Sequence, residues 1–428
     1  MSLLARWAYS LLLALLAPAY VLRLLWRARA EPLYAHAVGE RFGFYSHAHT
    51  KGPWLWLHAV SLGETRAAAA LVDALRRQQP GLRLLFTHGT ATGREAGRAL
   101  LREGDVQVWL PYDTPGAVQR FLKHFEPRVG VLMETEVWPQ LLHQARRHQV
   151  PVVLANARLS ERSLRRGERF AALLRPAAQQ LRLVVAQTEA DAQRFKQFGS
   201  REVLVGGNLK FDMQPDPAQL AMGRAWRSAV GRPVVLAASS REGEEAPLLA
   251  AWRKQTAGLA QAPLLVIVPR HPQRFDEVAR HIEAAGFAHA RRSGWTQAPP
   301  PQALAVDVWL GDSMGEMALY YSLAHVALLG GSFAPLGGQN LIEAAACACP
   351  VVMGPHTFNF AQAAELALEA GVAWRVVDVE AAVERGLAML ASSELDARSD
   401  QARRFAGVHR GAASVMASQV LSVSKTNP

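Results

Sequence analysis

From Pro53 onward, short apolar runs alternate with amphipathic stretches. In the first half WLWLHAV, LRLLFTH, VQVWLP, RVGVLME, VPVVLANA, LRLVVAQT and EVLVGG read as strands. Helical periodicity fills the gaps, for example from Thr65 to Gln78 and from Pro115 to His124. Strands separated by helices in this way mark βαβ units on a parallel sheet. Residues 212–232 show little periodicity before Leu220 and read as a link. The rhythm then restarts with RPVVLAASS, APLLVIVP, ALAVDVWL, AHVALLGG and CPVVMG, and Asp396 to Val423 reads as helix. At 428 residues the chain is too long for one ordinary core, so the pattern predicts two Rossmann-like α/β halves. The expected division is a membrane-attachment segment at 1–30, a first domain at 31–211, the link at 212–232 and a second domain at 233–428 that includes the terminal helices.

The N-terminus departs from this rhythm. WAYSLLLALLAPAYVLRLLW runs from Trp7 to Trp26, broken by Pro18 and Arg23, and residues 1–30 contain no acid. A bilayer core takes about 20 apolar residues, so this stretch is long enough only if it spans with little to spare. Spanning and lying in the interface both remain open; Arg23, Arg27 and Arg29 place the body in the cytoplasm if it spans. Either way the arginines suit an anionic leaflet.

Charge and cysteine usage narrow the classes. A net charge of +11 implies an anionic partner: nucleic acid, acidic lipid or a phosphorylated small molecule. Arg158, Arg162, Arg165, Arg166 and Arg169 crowd ARLSERSLRRGERF into a basic helix face that could hold an acidic headgroup. No aromatic residues interleave with these arginines and no reader motif is present, which disfavours nucleic acid. Cys347 and Cys349 are too close in sequence for a structural disulfide and read as small core residues of a reducing compartment. The sequence has no CxxC, HExxH or clustered His/Asp spacing, so no metal site is expected.

In open α/β sheets ligands bind beyond the carboxyl ends of the strands. Residues at such points are Glu64 in LHAVSLGET, Glu134 and Glu136 after RVGVLM, Lys210 after VLVGGN, Ser239 and Ser240, and Arg270 with His271. Ser61-x-x-Glu64 also fits a capping box, so on local pattern alone Glu64 reads as a cap ahead of a catalyst. In LLGGSFAPLGGQNLIEAAA a glycine-rich loop leads to Asn340 and Glu343 at a helix start. That arrangement suits either a phosphate at the helix N-terminus with Glu343 on a ribose, or a structural glycine turn with a second cap. GDSMGEMALYY has the same form, with Asp312 or Ser313 read as the N-cap.

Taken together, HAVSLGET, LPYDTP, METEVWP, ANARLSERS, GNLKFD, REGEE, VPRHPQRF, GDSMGEM, GGQNLIEAAA and MGPHTFNF resemble, in order, the 3-deoxy-D-manno-octulosonate (Kdo) transferases of lipid A assembly. The resemblance covers nearly the whole chain. It implies a GT-B fold, two Rossmann-like domains facing across a cleft, with the donor CMP-Kdo held mainly by the second. It further implies a tetraacylated lipid A precursor as acceptor, reached from the cytoplasmic face of the bacterial inner membrane with its anionic lipids. Transfer would invert the anomeric centre and need neither metal nor cofactor.

By the same resemblance Glu64 is the general base, and Glu134 and Lys210 stabilise the transition state. Pro269 and Arg270, Met314, Gly315 and Glu316, and Asn340, Leu341, Ile342 and Glu343 hold the nucleotide. In this role Glu64 is expected to point into the cleft while Ser61 caps the helix. Burial or a neighbouring acid is then needed to raise its pKa, because a helix N-terminus favours the ionised form.

Overall fold

The structure is a computed structural model that describes residues 2–46 and 53–425. These residues form two compact units, one comprising Met1–Met213 with Arg410–Pro428 and the other Gln214–His409. Each contains a parallel sheet of seven strands.

In the first unit the strands are β1 (Trp54–His58), β2 (Arg83–His88), β3 (Val106–Trp109), β4 (Val129–Met133), β5 (Val152–Ala157), β6 (Leu183–Ala186) and β7 (Val203–Val205). They lie in the order β3-β2-β1-β4-β5-β6-β7. Every residue of β1, β4 and β5 is buried, because helices cover both faces of a parallel sheet. That double burial is why these strands read as continuous apolar runs.

The second unit contains β8 (Val234–Ser240), β9 (Leu264–Pro269), β10 (His289–Arg291), β11 (Val308–Leu310), β12 (Val326–Leu329), β13 (Val351–Met353) and β14 (Ala373–Arg375). Their order is β10-β11-β9-β8-β12-β13-β14. The pattern of the sequence missed β10 and β14. Both are three-residue edge strands, His-Ala-Arg and Ala-Trp-Arg, too short and too polar to stand out.

Two boundaries differ from expectation. The stretch read as a link contains the helix Pro217–Val230, which begins at an Asp216 cap and packs against the helix Met317–Leu323 of the second unit. Gly223 permits the approach: a Cβ there would stand 1.9 Å from the Ser322 hydroxyl oxygen. The second difference lies at the C-terminus, where the expected single helix is two, Leu395–Val408 and Ala412–Lys425, parted at Gly411 with φ +113°. The last of these returns to the first unit rather than completing the second, and lies against the helix Leu62–Gln78. Its apolar stripe decides the matter: Ala413, Met416, Ala417 and Val420 join the core beneath β1 and β4. Asp212 fixes its start by accepting the amides of Gly411 at 2.6 Å and Ala413 at 2.7 Å.

Cys347 and Cys349 are free and buried, as small core residues should be. The helix Ser2–Ala28 has the length and composition to cross a membrane, and most of it is exposed.

Met416 is fully buried. Met416→Ala should therefore cost roughly 2–4 kcal/mol in denaturant unfolding. A cost below about 0.5 kcal/mol, the usual size of a surface substitution, would mean that the last helix does not pack there.

Candidate active site

The strand order of the first sheet turns at β1: β2 lies on one side of it and β4 on the other. Such a switch point opens a crevice at the carboxyl ends of the two diverging strands. The register pairs His58 of β1 with Leu132 of β4, so the two strands end level. Glu64 follows the first and Glu134 the second.

Ser61 caps the helix Leu62–Gln78, its hydroxyl accepting the Glu64 amide at 3.4 Å. The Glu64 carboxylate does not swing free as expected; it folds back over the cap. Its Oε2 accepts the Val60 amide at 2.9 Å and its Oε1 accepts the Ser61 hydroxyl at 3.0 Å. The reason is local: Val60 follows the strand end with its N–H directed at the first helical turn, and a carboxylate in that turn is the nearest acceptor. Burial raises the Glu64 pKa above its usual value of 4.5, the two hydrogen bonds oppose this, and the charge of Glu134 adds to the rise.

Glu134 sits at φ +58°, a left-handed conformation that re-aims the chain directly after β4. Its backbone bridges to β5, taking the Ala155 carbonyl at 3.0 Å and giving its own carbonyl to Arg158 at 3.3 Å. Glu136, two residues on, accepts the Trp138 indole at 2.6 Å. Burial, with the charges of Glu64 and Glu134, pushes Glu136 up to about 7.

Lys210 enters from the turn Leu209–Asp212. That turn is held from beneath by buried Asn156, at φ +53°, whose Oδ1 accepts the Leu209 amide at 3.1 Å. Gln187 ties the same pair together, donating to the Asn156 carbonyl at 3.0 Å and accepting from Asn208 at 3.1 Å. Burial lowers the Lys210 pKa, Glu134 opposes that, and Arg158 adds to the fall. Glu134 thus acts electrostatically on both Glu64 and Lys210. Arg158 belongs to this group and not to the basic face with which its sequence neighbours had grouped it. The rest of that run, in the helix Glu161–Glu168, has no buried residue.

In the second unit the switch point lies between β8 and β12. Gly330, at the end of β12, crosses so close to β8 that a Cβ would stand 2.4 Å from the Ser239 carbonyl. The glycine loop beyond it is already occupied. The Gly331 amide donates to both Glu244 oxygens at 2.9 Å, and Arg241, Phe333 and Ala334 also present backbone N–H groups to that carboxylate. This favours the reading of the loop as a structural turn over that of a phosphate cradle. Beneath it, buried Glu245 receives a two-pronged bond from Arg274 at 2.7 and 2.9 Å and the Ser240 hydroxyl at 2.7 Å.

The expected nucleotide segments all follow carboxyl ends of this sheet. Pro269 ends β9, and exposed Arg270 donates its amide to the Ser240 carbonyl at 3.0 Å. Met314, Gly315 and Glu316 follow β11; Met314 is exposed, Gly315 has φ +80°, and Glu316 pairs with Arg292 at 2.8 Å while its Oε2 is buried without a hydrogen bond. Neither Asp312 nor Ser313 caps the next helix, which starts only at Met317. Asp312 instead takes Ser293 and Arg291, and Ser313 meets the Tyr320 hydroxyl. Asn340 does cap its helix, accepting the Ile342 amide at 3.2 Å; Leu341 and Ile342 are buried and Glu343 is half-buried in the first turn. Among the described residues no group of three or more His, Cys, Asp or Glu is placed to hold a metal ion.

Two units, each built on a seven-stranded parallel sheet with charged side chains beyond its carboxyl end, have the architecture of the GT-B fold. The chain is similar to the crystal structure of a glycosyltransferase from Rickettsia africae, with a TM-score of 0.58 at 12% identity over 88% of this chain and 98% of that one. A family model described as 3-deoxy-D-manno-octulosonic-acid transferase (kdotransferase) matches residues 36–213, the stretch that holds Glu64, Glu134 and Lys210. The 3-deoxy-D-manno-octulosonic acid transferase of Bordetella pertussis is 48% identical over 95% of this chain and 96% of its own. The enzyme of the same name from Haemophilus influenzae is 36% identical over 85% of each. The chain belongs to the Kdo transferase family.

The carboxylate cluster has consequences for titration. A group whose pKa rises from 4.5 unfolded to about 7 folded contributes stability below pH 4.5 that is lost as pH climbs through 7. Glu136→Gln should therefore gain on the wild type between pH 5 and pH 8, by on the order of 2 kcal/mol at the upper end. In a carbon-13 NMR titration Glu134→Gln should lower the Glu64 pKa; an unmoved Glu64 would separate the two charges.

Proposed function

We propose that the protein is an inverting glycosyltransferase that moves Kdo from CMP-Kdo to the tetraacylated lipid A precursor and releases CMP. The observation that carries this reading is the convergence of Glu64, Glu134 and Lys210 at the β1/β4 switch point, with the carboxylate of Glu64 made more basic and the ammonium of Lys210 less so. Glu64 takes the proton from the acceptor's primary hydroxyl. The hydroxyl oxygen bonds to the anomeric carbon of Kdo from the face opposite the leaving group, and the bond from that carbon to the CMP phosphate oxygen breaks. Positive charge then develops on the sugar, where Glu134 stabilises it, and negative charge on the departing phosphate, where Lys210 does. A raised Glu64 pKa suits this task, because a base works best when its pKa lies near the working pH.

Pro269 and Arg270, Met314 to Glu316 and Asn340 to Glu343 bind the nucleotide, with Glu343 on the ribose. The reaction runs without metal or cofactor. The body works on the cytoplasmic face of the bacterial inner membrane, attached by its N-terminal segment; the apolar helix Ser2–Ala28 supports the attachment.

Purified protein given CMP-Kdo and lipid A precursor should yield a product heavier by one or more Kdo residues in mass spectrometry. Glu64→Gln should lower the rate by roughly 10²–10⁴-fold and leave CMP binding intact. No added sugar with the wild type would refute the proposal. Glu343→Ala should weaken CMP binding about tenfold or more, the size of a lost charge-assisted hydrogen bond. UDP should compete poorly with CMP, and equal competition would point to another nucleotide sugar.

A further inference from the structure

The helix Ser2–Ala28 touches the first unit along one stripe that runs nearly its whole length. Near its start the Arg6 guanidinium stands 2.6 Å from His143 Nδ1. Tyr9 donates its hydroxyl to Asp113 at 3.0 Å, and Gln140 donates to the Ser10 hydroxyl at 2.6 Å. Further along, the Tyr20 ring lies 5.1 Å from that of Tyr112. Leu24 is buried with Tyr34 and Ala91, and Arg27 sits 4.1 Å above the Tyr34 ring. Contacts at 6, 9, 10, 20, 24 and 27 recur at helical spacing, which makes them one face.

The opposite face is apolar and open. Leu4, Trp7, Leu11, Leu15, Leu22 and Trp26 are each more than 60% exposed. A tryptophan stands near each end, and interfacial helices place these residues where water meets acyl chain.

Docking and spanning exclude each other here. Arg6 to Arg27 covers about 31 Å of helix, which is the thickness of a bilayer's hydrocarbon core. A helix crossing that core would either draw Asp113, Gln140 and His143 into hydrocarbon or break every contact with them. Asp113 is buried and also accepts the Gln140 and Leu141 amides at 3.0 and 2.6 Å, so it holds the helix Pro139–Arg147 as well as the anchor. Taking such a joint into lipid costs several kcal/mol per polar group.

We propose that Ser2–Ala28 is an in-plane anchor, latched to the first unit through Tyr9–Asp113 and Ser10–Gln140, with its open face sunk into one leaflet of an anionic bilayer and no part of it crossing. Charge selects this occupant over a second copy of the chain. The first 30 residues carry no acid, Arg23 and Arg29 are exposed at the helix end, and two such faces would repel. The inference rests on the membrane attachment proposed above and specifies its form.

The test uses the full chain with single spin labels at Leu4→Cys, Leu15→Cys and Leu25→Cys. The native cysteines are buried and leave the exposed positions as the reactive ones. Labelled protein is mixed with vesicles of phosphatidylcholine alone or with added phosphatidylglycerol, and depth is read from collisions with oxygen and with an aqueous nickel chelate. All three labels should lie at the same shallow depth, and phosphatidylglycerol should tighten binding about tenfold through the two exposed arginines. Leu15 at the bilayer centre with Leu4 and Leu25 at opposite surfaces would overturn the in-plane form while keeping the membrane reading. Labels shielded from both reagents would mean that a second copy covers the face, and equal binding to both vesicles would remove the charge argument; either overturns the proposal. Failure to bind any vesicle would sink the membrane reading itself.

Discussion

The parallel pairing of β1 with β4 is the contact on which the candidate site depends. Because His58 and Leu132 are partners, the two strands deliver their following residues to one place, and that place then holds two acids within electrostatic reach of each other. Like charges at partly buried positions resist ionisation. The fold tolerates them by feeding N–H and O–H donors to Glu64 and placing Lys210 and Arg158 near Glu134. The cap of the helix Leu62–Gln78 is therefore also the restraint on the carboxylate. For the proposed reaction Glu64 can reach a substrate hydroxyl only by competing with donors that the helix supplies.

Much of this was legible in the chain because parallel strands buried on both faces leave an unmistakable apolar run, and the residue after each run is placed by the fold rule. That rule put Glu64, Glu134 and Lys210 among the strand-end candidates, and the family resemblance singled them out. What escaped was whatever depends on a partner distant in sequence. The stripe on Ala412–Lys425 shows one apolar face but not which surface receives it, so the helix was assigned to its sequence neighbours. Arg158 reads as one more arginine in a basic run until the Glu134 carbonyl and Lys210 are seen beside it. Asp312 has the form of a cap, yet Arg291 and Ser293 supply stronger partners.

The second unit carries a different lesson about glycine. A loop of glycines after a strand advertises free backbone amides, which is why it reads as an anion site. Here a carboxylate of the same chain, Glu244, already fills that role, drawing donors from Arg241 and from three residues of the loop. Glu244 is held by backbone and Glu245 by Arg274, so adjacent acids serve two separate networks. The loop amides are therefore not what a ligand of this sheet would meet, and the proposed nucleotide contacts fall instead on Arg270 and the first turn after Asn340.

The chain leaves the first unit after Met213 and re-enters it at Arg410. During synthesis, the first unit consequently waits. Its sheet can form early, but the core beneath β1 and β4 stays uncovered on one side until the helix Ala412–Lys425 leaves the ribosome. At elongation rates of about 5–20 residues per second, that interval is roughly 10–40 seconds. The second unit, continuous from 214 to 409, is complete before the first one closes. The half that holds the carboxylates is thus the last to mature, although it is the first to be made.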